Sequence, residues 1–463
     1  MNSAATRGQA RALAEVDSMI LGQAPHSVLL VGPGSVGKTT LALDLAAGLL
    51  CNNPDPAARP CRACRGCRQV ASGNHPDLHR LAPEGPGGQI RIGKAGDPEP
   101  GTVRHIIGEL SLLPVEGGAR VVIVEGAHRL NEDAQNAFLK MLEEPPAGVT
   151  IILCADDEEC LLPTVRSRCV RIRLGAVGGR EIEHWLGELG VADAPRAARL
   201  ARLAEGRPGL ALAYARSVDA ERLRGEMARG ILDMLAAPRQ KRLAVVRELM
   251  KSAAALDAAL DAGRVIVSVA GDGARPRGGR GAKGKATKGK TAQGAELVAD
   301  SAAGGTAGGL ASGGDAAGAD PAAGGDDAGA GAAADAVPAK LAAADRRSAA
   351  ATLIGVWASV ARDIAVAAAG GAGQIREIAL LDELPVLAPA VSAATLATFL
   401  GQLAEIAIQL DDNVNPELAL DVLALSWPHV EPAAARSTVG AGSAATAAGP
   451  RRGPGSDSAP PSR

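Results

Sequence analysis

The chain has 463 residues, too many for one compact core, so roughly two to four domains are expected. Three Trp, two Phe and one Tyr leave the cores to Leu, Val, Ile and Ala, which suits helical layers and parallel sheets and argues against an aromatic surface for stacking bases. With 49 basic against 51 acidic residues, a formal charge of −2, no global field draws in nucleic acid.

In chain order, residues 28–31 (Val-Leu-Leu-Val) form a short apolar run, the mark of a buried parallel strand. Gly32, Pro33, Gly34, Ser35, Val36, Gly37, Lys38 and Thr39 follow, with Thr40 next, and fit the phosphate-loop pattern in full. The loop sits after a strand and before a helix over 39–50, where Leu41, Leu45 and Leu49 keep helical spacing. Its glycines let backbone N–H groups wrap phosphates, Lys38 neutralises β and γ oxygens, and the Thr39 hydroxyl ligates Mg²⁺. A chance Gly-rich turn is the plainer alternative, and it does not explain why pattern and context agree.

Cys51, Cys61, Cys64 and Cys67 come next, four of the seven cysteines, in the spacing C-x9-C-x2-C-x2-C. Four thiolates brought together this way favour tetrahedral Zn²⁺ with no open position, hence a structural site. Arg59, Arg62, Arg65 and Arg68 surround them. Unrelated reduced thiols, or a zinc module that touches DNA phosphates, are the alternatives. Cys154, Cys160 and Cys169 read as ordinary buried or neighbouring thiols.

A second strand over 121–124 ends in Glu125-Gly126-Ala127-His128. P-loop ATPases hold Mg²⁺ with an acid at such a strand end, usually beside a second acid that orients water. Glu125 takes the first place and Gly126, with no side chain, the second; His128 is a weaker candidate for that task. A helix over 134–142 closes at Pro145-Pro146, and a third strand spans 150–154. Alternating strands and helices describe a parallel α/β sheet. From 180 to 234 the pattern is purely helical, with Gly206-Arg207-Pro208-Gly209 as a turn. Residues 271–345 are almost entirely Gly, Ala, Asp and Lys, too poor in large apolar groups to offset ordering entropy; disorder is expected there and again over 431–463. Helical periodicity resumes between them, with Leu353, Trp357, Val360 and Ile364 on one stripe and Leu396, Phe399, Leu403 and Ile406 on another. No apolar run reaches the length of a membrane span and no signal-peptide core opens the chain, so a cytoplasmic protein without a membrane partner is expected.

Gly73-Asn-His-Pro-Asp77, Asn136-Ala-Phe-Leu-Lys-Met-Leu-Glu-Glu-Pro-Pro146 and Thr164-Val-Arg-Ser-Arg-Cys169 together resemble the AAA+ clamp-loader subunits of bacterial DNA polymerase III, the delta prime family in particular; tau/gamma subunits share several of these motifs. The likeness covers about 8–235 and, more weakly, the helices around Asn413-Val-Asn-Pro-Glu-Leu-Ala-Leu420. It implies an AAA+ domain over 1–178 with a zinc module inserted at about 51–75, a helical lid over 179–236, and an all-α collar over 237–270 and 346–430. The implied assembly is a hetero-pentamer with tau/gamma and delta that places the sliding clamp on primed DNA. In that family the arginine matched by Arg168 reaches a neighbour's ATP, an arginine finger supplied in trans. Arg207 is a weaker candidate for sensing nucleotide. Active family members carry an Asp-Glu pair where this chain has Glu125-Gly126, and Thr or Asn in the stretch matched by Ala155-Asp156-Asp157. Both departures point to ATP/Mg²⁺ bound now or formerly, with little or no hydrolysis. A hydrolysing tau/gamma-like subunit and a zinc-module DNA-binding protein remain the rival readings.

Overall fold

The computed structural model describes residues 5–22, 24–83, 88–94, 96, 99–116, 118–263, 343–411 and 414–430. The expectations for 271–342, for 431–463 and for Asn413 lie outside them.

Five parallel strands form the sheet: β1 (Ser27–Val31), β2 (Leu78–Leu81), β3 (Arg120–Val124), β4 (Val149–Ala155) and β5 (Val170–Arg173), in the order β2-β3-β4-β1-β5. β1 lies between β4 and β5, with Ser27 opposite Ile151 and Val28 opposite Val170. Every residue of β1, β3 and β4 is buried, which is why most of each sequence reads as an apolar run, with Ser27, Arg120 and Thr150 the polar exceptions. Successive residues of β1 serve opposite faces. Val28 and Leu30 pack with α1 (Ala10–Leu21) and α2 (Lys38–Leu49); Leu29 and Val31 pack with α4 (Val103–Leu110) and α5 (Glu132–Glu143). Between α2 and β2, α3 (Arg65–Ser72) carries Cys67, the last thiol of the cysteine cluster, and is capped by Cys64.

After the short α6 (Pro163–Arg166) and β5, the described residues fold as helices: α7 (Gly179–Glu188), α8 (Ala194–Leu203), α9 (Pro208–Arg216) and α10 (Val218–Asp233), then α11 (Arg239–Gly263), α12 (Ala343–Ala368), α13 (Leu384–Leu387), α14 (Ala393–Asp411) and α15 (Pro416–Ser426). Pro208 opens α9, so Gly209 of the expected turn is already helical; Pro at a first helical position has no N–H to leave unpaired. α12 starts at Ala343, inside the stretch expected to be disordered, and Asp345 in its first turn complements the helix N-terminus.

One apolar cluster runs from Val177 to Val430 and unites lid and collar helices. Trp357, Phe399 and Trp427 meet at its centre, with ring centroids 5.7, 5.7 and 4.7 Å apart. The indole N–H of Trp427 donates to the Ile231 carbonyl in α10 at 3.2 Å. Arg224 of α10, fully enclosed, donates to Glu377 Oε1 at 2.9 and 2.5 Å and to the Tyr214 hydroxyl at 3.3 Å. Between sheet and lid, Gln9 clamps Gly175: its side-chain amide donates to the Gly175 carbonyl at 2.7 Å and its carbonyl accepts from the Gly175 N–H at 3.3 Å.

Two helical stretches, Asp345–Ala368 and Ala393–Leu410, are long and apolar enough to cross a membrane by length and composition, which corrects the expectation that no segment qualifies. Small residues interleaved with Leu, Ile and Val raise the average without forming a continuous apolar run. The first is a core helix in which Leu353, Trp357, Val360 and Ile364 are wholly enclosed.

Candidate nucleotide site and thiolate centre

Because the strands are parallel, the phosphate loop after β1, Glu125 after β3 and Asp156 after β4 all lie at one edge of the sheet, and β4 separates the first two. Gly37 caps α2 with φ 109°, a conformation that favours glycine. At Gly32, φ 157°, a Cβ would run into the Leu174 carbonyl. The lid rests on the tip of this loop: the Gly209 N–H donates to the Ser35 carbonyl at 2.9 Å.

Lys38 is buried and its ammonium meets three acceptors, the Gly32 carbonyl at 2.6 Å, the Pro33 carbonyl at 2.8 Å and Asp156 Oδ1 at 2.7 Å. The other oxygen of Asp156 lies against the loop, 3.2 Å from where a Cβ on Gly34 would stand. His128 fixes the Asp156 backbone by accepting its N–H at Nδ1, 3.1 Å away, which places the ring proton of a neutral imidazole on Nε2. Glu125 is turned toward the neighbouring strand, where Arg80 of β2 donates to Oε1 through Nε at 2.9 Å and Nη2 at 2.5 Å. Gly126 sits at φ 62° in the left-handed region. The loop therefore has the backbone shape of a phosphate cradle, while its cation and the nearby strand-end acid are both paired within the chain.

Arg168, between α6 and β5, stays a third exposed at its side chain; it donates to the Thr164 carbonyl at 2.8 Å and pairs with Glu143 Oε1 at 2.6 Å. Arg207 donates to the Ala204 carbonyl at 3.1 Å. Burial lowers its pKa, and the charges acting on it are those of Glu205, Arg224 and Arg376, at the seam of lid and collar.

The sulfurs of Cys51, Cys61, Cys64 and Cys67 all lie within 4.8 Å of one another, with Cys51 to Cys61 at 3.5 Å and Cys51 to Cys64 at 3.9 Å. That donor set and spacing fit one tetrahedral zinc ion. The Cys64 and Cys67 N–H groups point at Cys61 Sγ (3.4 Å) and Cys64 Sγ (3.3 Å), as they do where backbone amides steady a thiolate centre. Burial raises the Cys61 thiol, yet the Cys64 and Ala63 amides outweigh it and bring its pKa down to about 6. Of the other thiols, Cys154 is buried and Cys169 partly so, but Cys160 is exposed, in the turn after β4.

Two side chains that matter here were not singled out from sequence. Asp44, wholly enclosed in α2, accepts from the Thr6 N–H (3.0 Å), the Thr6 hydroxyl (2.7 Å) and the Ala5 N–H (3.1 Å), and pairs with Arg62 of the cysteine module. A lone acid amid the apolar residues of that helix is the signal that marks it. Arg80 carries no such mark, since its partner Glu125 lies 45 residues on. In the Gly73–Asp77 motif, buried Asp77 accepts from the Val115 and Glu116 N–H groups at 2.7 and 2.9 Å, so it pins the loop before β3.

This parallel sheet, its phosphate loop and the helices that follow define a P-loop α/β module, with an inserted four-cysteine module and a C-terminal part whose described residues are helical. Residues 9–177 match the family model described as DNA polymerase III, delta subunit. The chain is 38% identical over 164 residues to the DNA polymerase III subunit delta' of Pseudomonas aeruginosa, covering 35% of this chain and 47% of that protein. It is 35% identical over 198 residues to the delta' subunit of Escherichia coli (43% and 57%), and 35% identical over 195 residues to the tau subunit of that organism (41% and 28%). The likeness to delta prime subunits read from the motifs is upheld. The chain spans about half the length of the delta' relatives it matches.

Proposed function

We propose that the chain is a delta prime-type clamp-loader subunit of a bacterial DNA polymerase III, and that it acts through Arg168 rather than through hydrolysis of its own. The observation that carries this reading is the contrast at the sheet edge. Gly126 offers no group to orient water and Glu125 is engaged by Arg80, whereas Arg168, just before β5, stays a third exposed with its ion pair to Glu143 at the surface. A guanidinium set against a neighbour's γ-phosphate stabilises charge as it develops there. The partners in this reading are tau/gamma and delta in a hetero-pentamer, with the sliding clamp and primed DNA met through the complex. Exposed apolar side chains support association of the collar: Leu418, Val422 and Leu425 share one face of α15, and Ile408 lies on α14. The domains of this reading are 1–178, 179–236 and a helical collar over 237–270 and 346–430. Cys51, Cys61, Cys64 and Cys67 would hold structural zinc, which ties α2 to α3. Any ATP/Mg²⁺ would be met by residues 32–40 and Glu125, with Arg207 a distant candidate.

Against a DNA-reading zinc module, two of the four arginines around the cysteines are turned into the chain, while Arg65 and Arg68 are exposed. Arg62 pairs with Asp44 and Arg59 donates to the Asn53 carbonyl at 2.6 Å. The test is reconstitution: the chain mixed with tau and delta should enter one five-subunit complex whose clamp- and DNA-stimulated ATPase requires it. Failure to enter the complex, or vigorous hydrolysis by the isolated chain that Lys38→Ala abolishes, would overturn the reading.

A further inference from the structure

We infer that Asp156 is an internal stand-in for the terminal phosphate of a nucleotide, and that it, rather than any defect of the loop backbone, sets how poorly this chain takes ATP. The inference rests on the clamp-loader reading only in that both concern the same loop. An ammonium has three protons and no more. Those of Lys38 are matched by the Gly32 and Pro33 carbonyls and by Asp156 Oδ1, so an incoming phosphate finds none unclaimed. Asp156 is held for this task from several sides. It follows directly on β4, the strand beside β1; its N–H is fixed by His128; and its second oxygen lies over Gly34 at the mouth of the loop. A triphosphate entering here must displace a carboxylate from Lys38 and then tolerate that negative charge beside its own.

The loop itself retains everything a phosphate needs. Gly32, Gly34 and Gly37 keep its backbone open, Val36 is buried beneath it, and α2 starts at Lys38 with its N–H groups at the phosphate end. Removing one charge should therefore reopen the site without rebuilding it. Asp156→Asn keeps the shape, and the Lys38 ammonium is left with neutral acceptors only.

The experiment is equilibrium binding of MgATP and of a non-hydrolysable analogue to the full chain, by calorimetry, for wild type, Asp156→Asn, Asp156→Ser and Asp156→Asn/Lys38→Ala. Both single variants should bind at least about tenfold more tightly than wild type, a gain of ~1.4 kcal/mol, and the added Lys38→Ala should abolish the gain. Wild type that binds as tightly as both variants, or a gain that survives Lys38→Ala, would overturn the inference. Two substitutions of different size keep the test sound if one of them unfolds, which circular dichroism reports. The same variants mixed with tau and delta separate the two ideas: wild-type complex formation with unchanged nucleotide affinity sinks this inference alone, and lost assembly by wild type sinks the clamp-loader reading alone.

Discussion

Replacing Arg168 with alanine separates what this side chain does for its own fold from what it does for a neighbour. Within the chain it makes an ion pair with Glu143 at 2.6 Å and a hydrogen bond to the Thr164 carbonyl at 2.8 Å, both at the surface. An exposed pair contributes ~0–1 kcal/mol, and a hydrogen bond open to water about as much again, so the folded chain should lose no more than ~2 kcal/mol. Against a neighbour's γ-phosphate the same guanidinium would be worth about a thousandfold or more in rate, or ~4 kcal/mol of barrier. The assay is clamp- and primed-DNA-stimulated ATPase of the reconstituted complex, with assembly checked by size-exclusion chromatography. Arg168→Ala should enter the complex normally and lower hydrolysis by at least two to three orders of magnitude, to about 10⁻³ of wild type. Arg168→Lys should recover only a small part, because an ammonium lacks the planar fork. An alanine complex that hydrolyses within about threefold of wild type, a difference of ~0.65 kcal/mol, would refute the finger role.

Protein purified without chelator should carry about one zinc per chain by elemental analysis, and Cys61→Ser should lower that content sharply; metal-free protein with four readily titrated thiols would remove the assignment. Glu377→Ala strands the Arg224 guanidinium with only the Tyr214 hydroxyl at 3.3 Å. It should cost ~3–5 kcal/mol, read as a lower thermal midpoint, and Arg224→Met/Glu377→Leu should recover most of it; a midpoint unchanged by Glu377→Ala would show that the pair is dispensable. Burial lowers the pKa of His75 and His79 from the ordinary 6.5. The folded chain thus holds them neutral, and their stabilising contribution, full above pH 6.5, is lost as pH falls through the folded values. Urea midpoints should drop between pH 7.5 and 5.5, and less so in His79→Gln; equal slopes would contradict this.

The strands that sequence reveals most readily are those enclosed on both faces, β1, β3 and β4, because burial favours a continuous apolar run, broken only by Ser27, Arg120 and Thr150 at or near the strand starts. β2 and β5 went unmarked: Leu78-His-Arg-Leu81 and Val170-Arg-Ile-Arg173 lie at the two margins of the sheet, where one side of the strand meets polar surroundings. The phosphate loop and the four thiols were legible because each is a local spacing rule. The ion pairs that decide how the loop behaves were not, since Lys38 to Asp156 and Arg80 to Glu125 join residues brought together only by the order of strands. An acid after β4 was visible as a departure from the family motif, but its contact with Lys38 required the fold.

The shared interior of lid and collar bears on how motion travels through this molecule. One apolar interior joins α9, which rests on the loop tip, to helices as far along the chain as α15. Lid and sheet are clasped at two places, the Gln9 carboxamide on both the N–H and the carbonyl of Gly175 and the Gly209 N–H on the Ser35 carbonyl, so a change of angle between them has to break one clasp or the other.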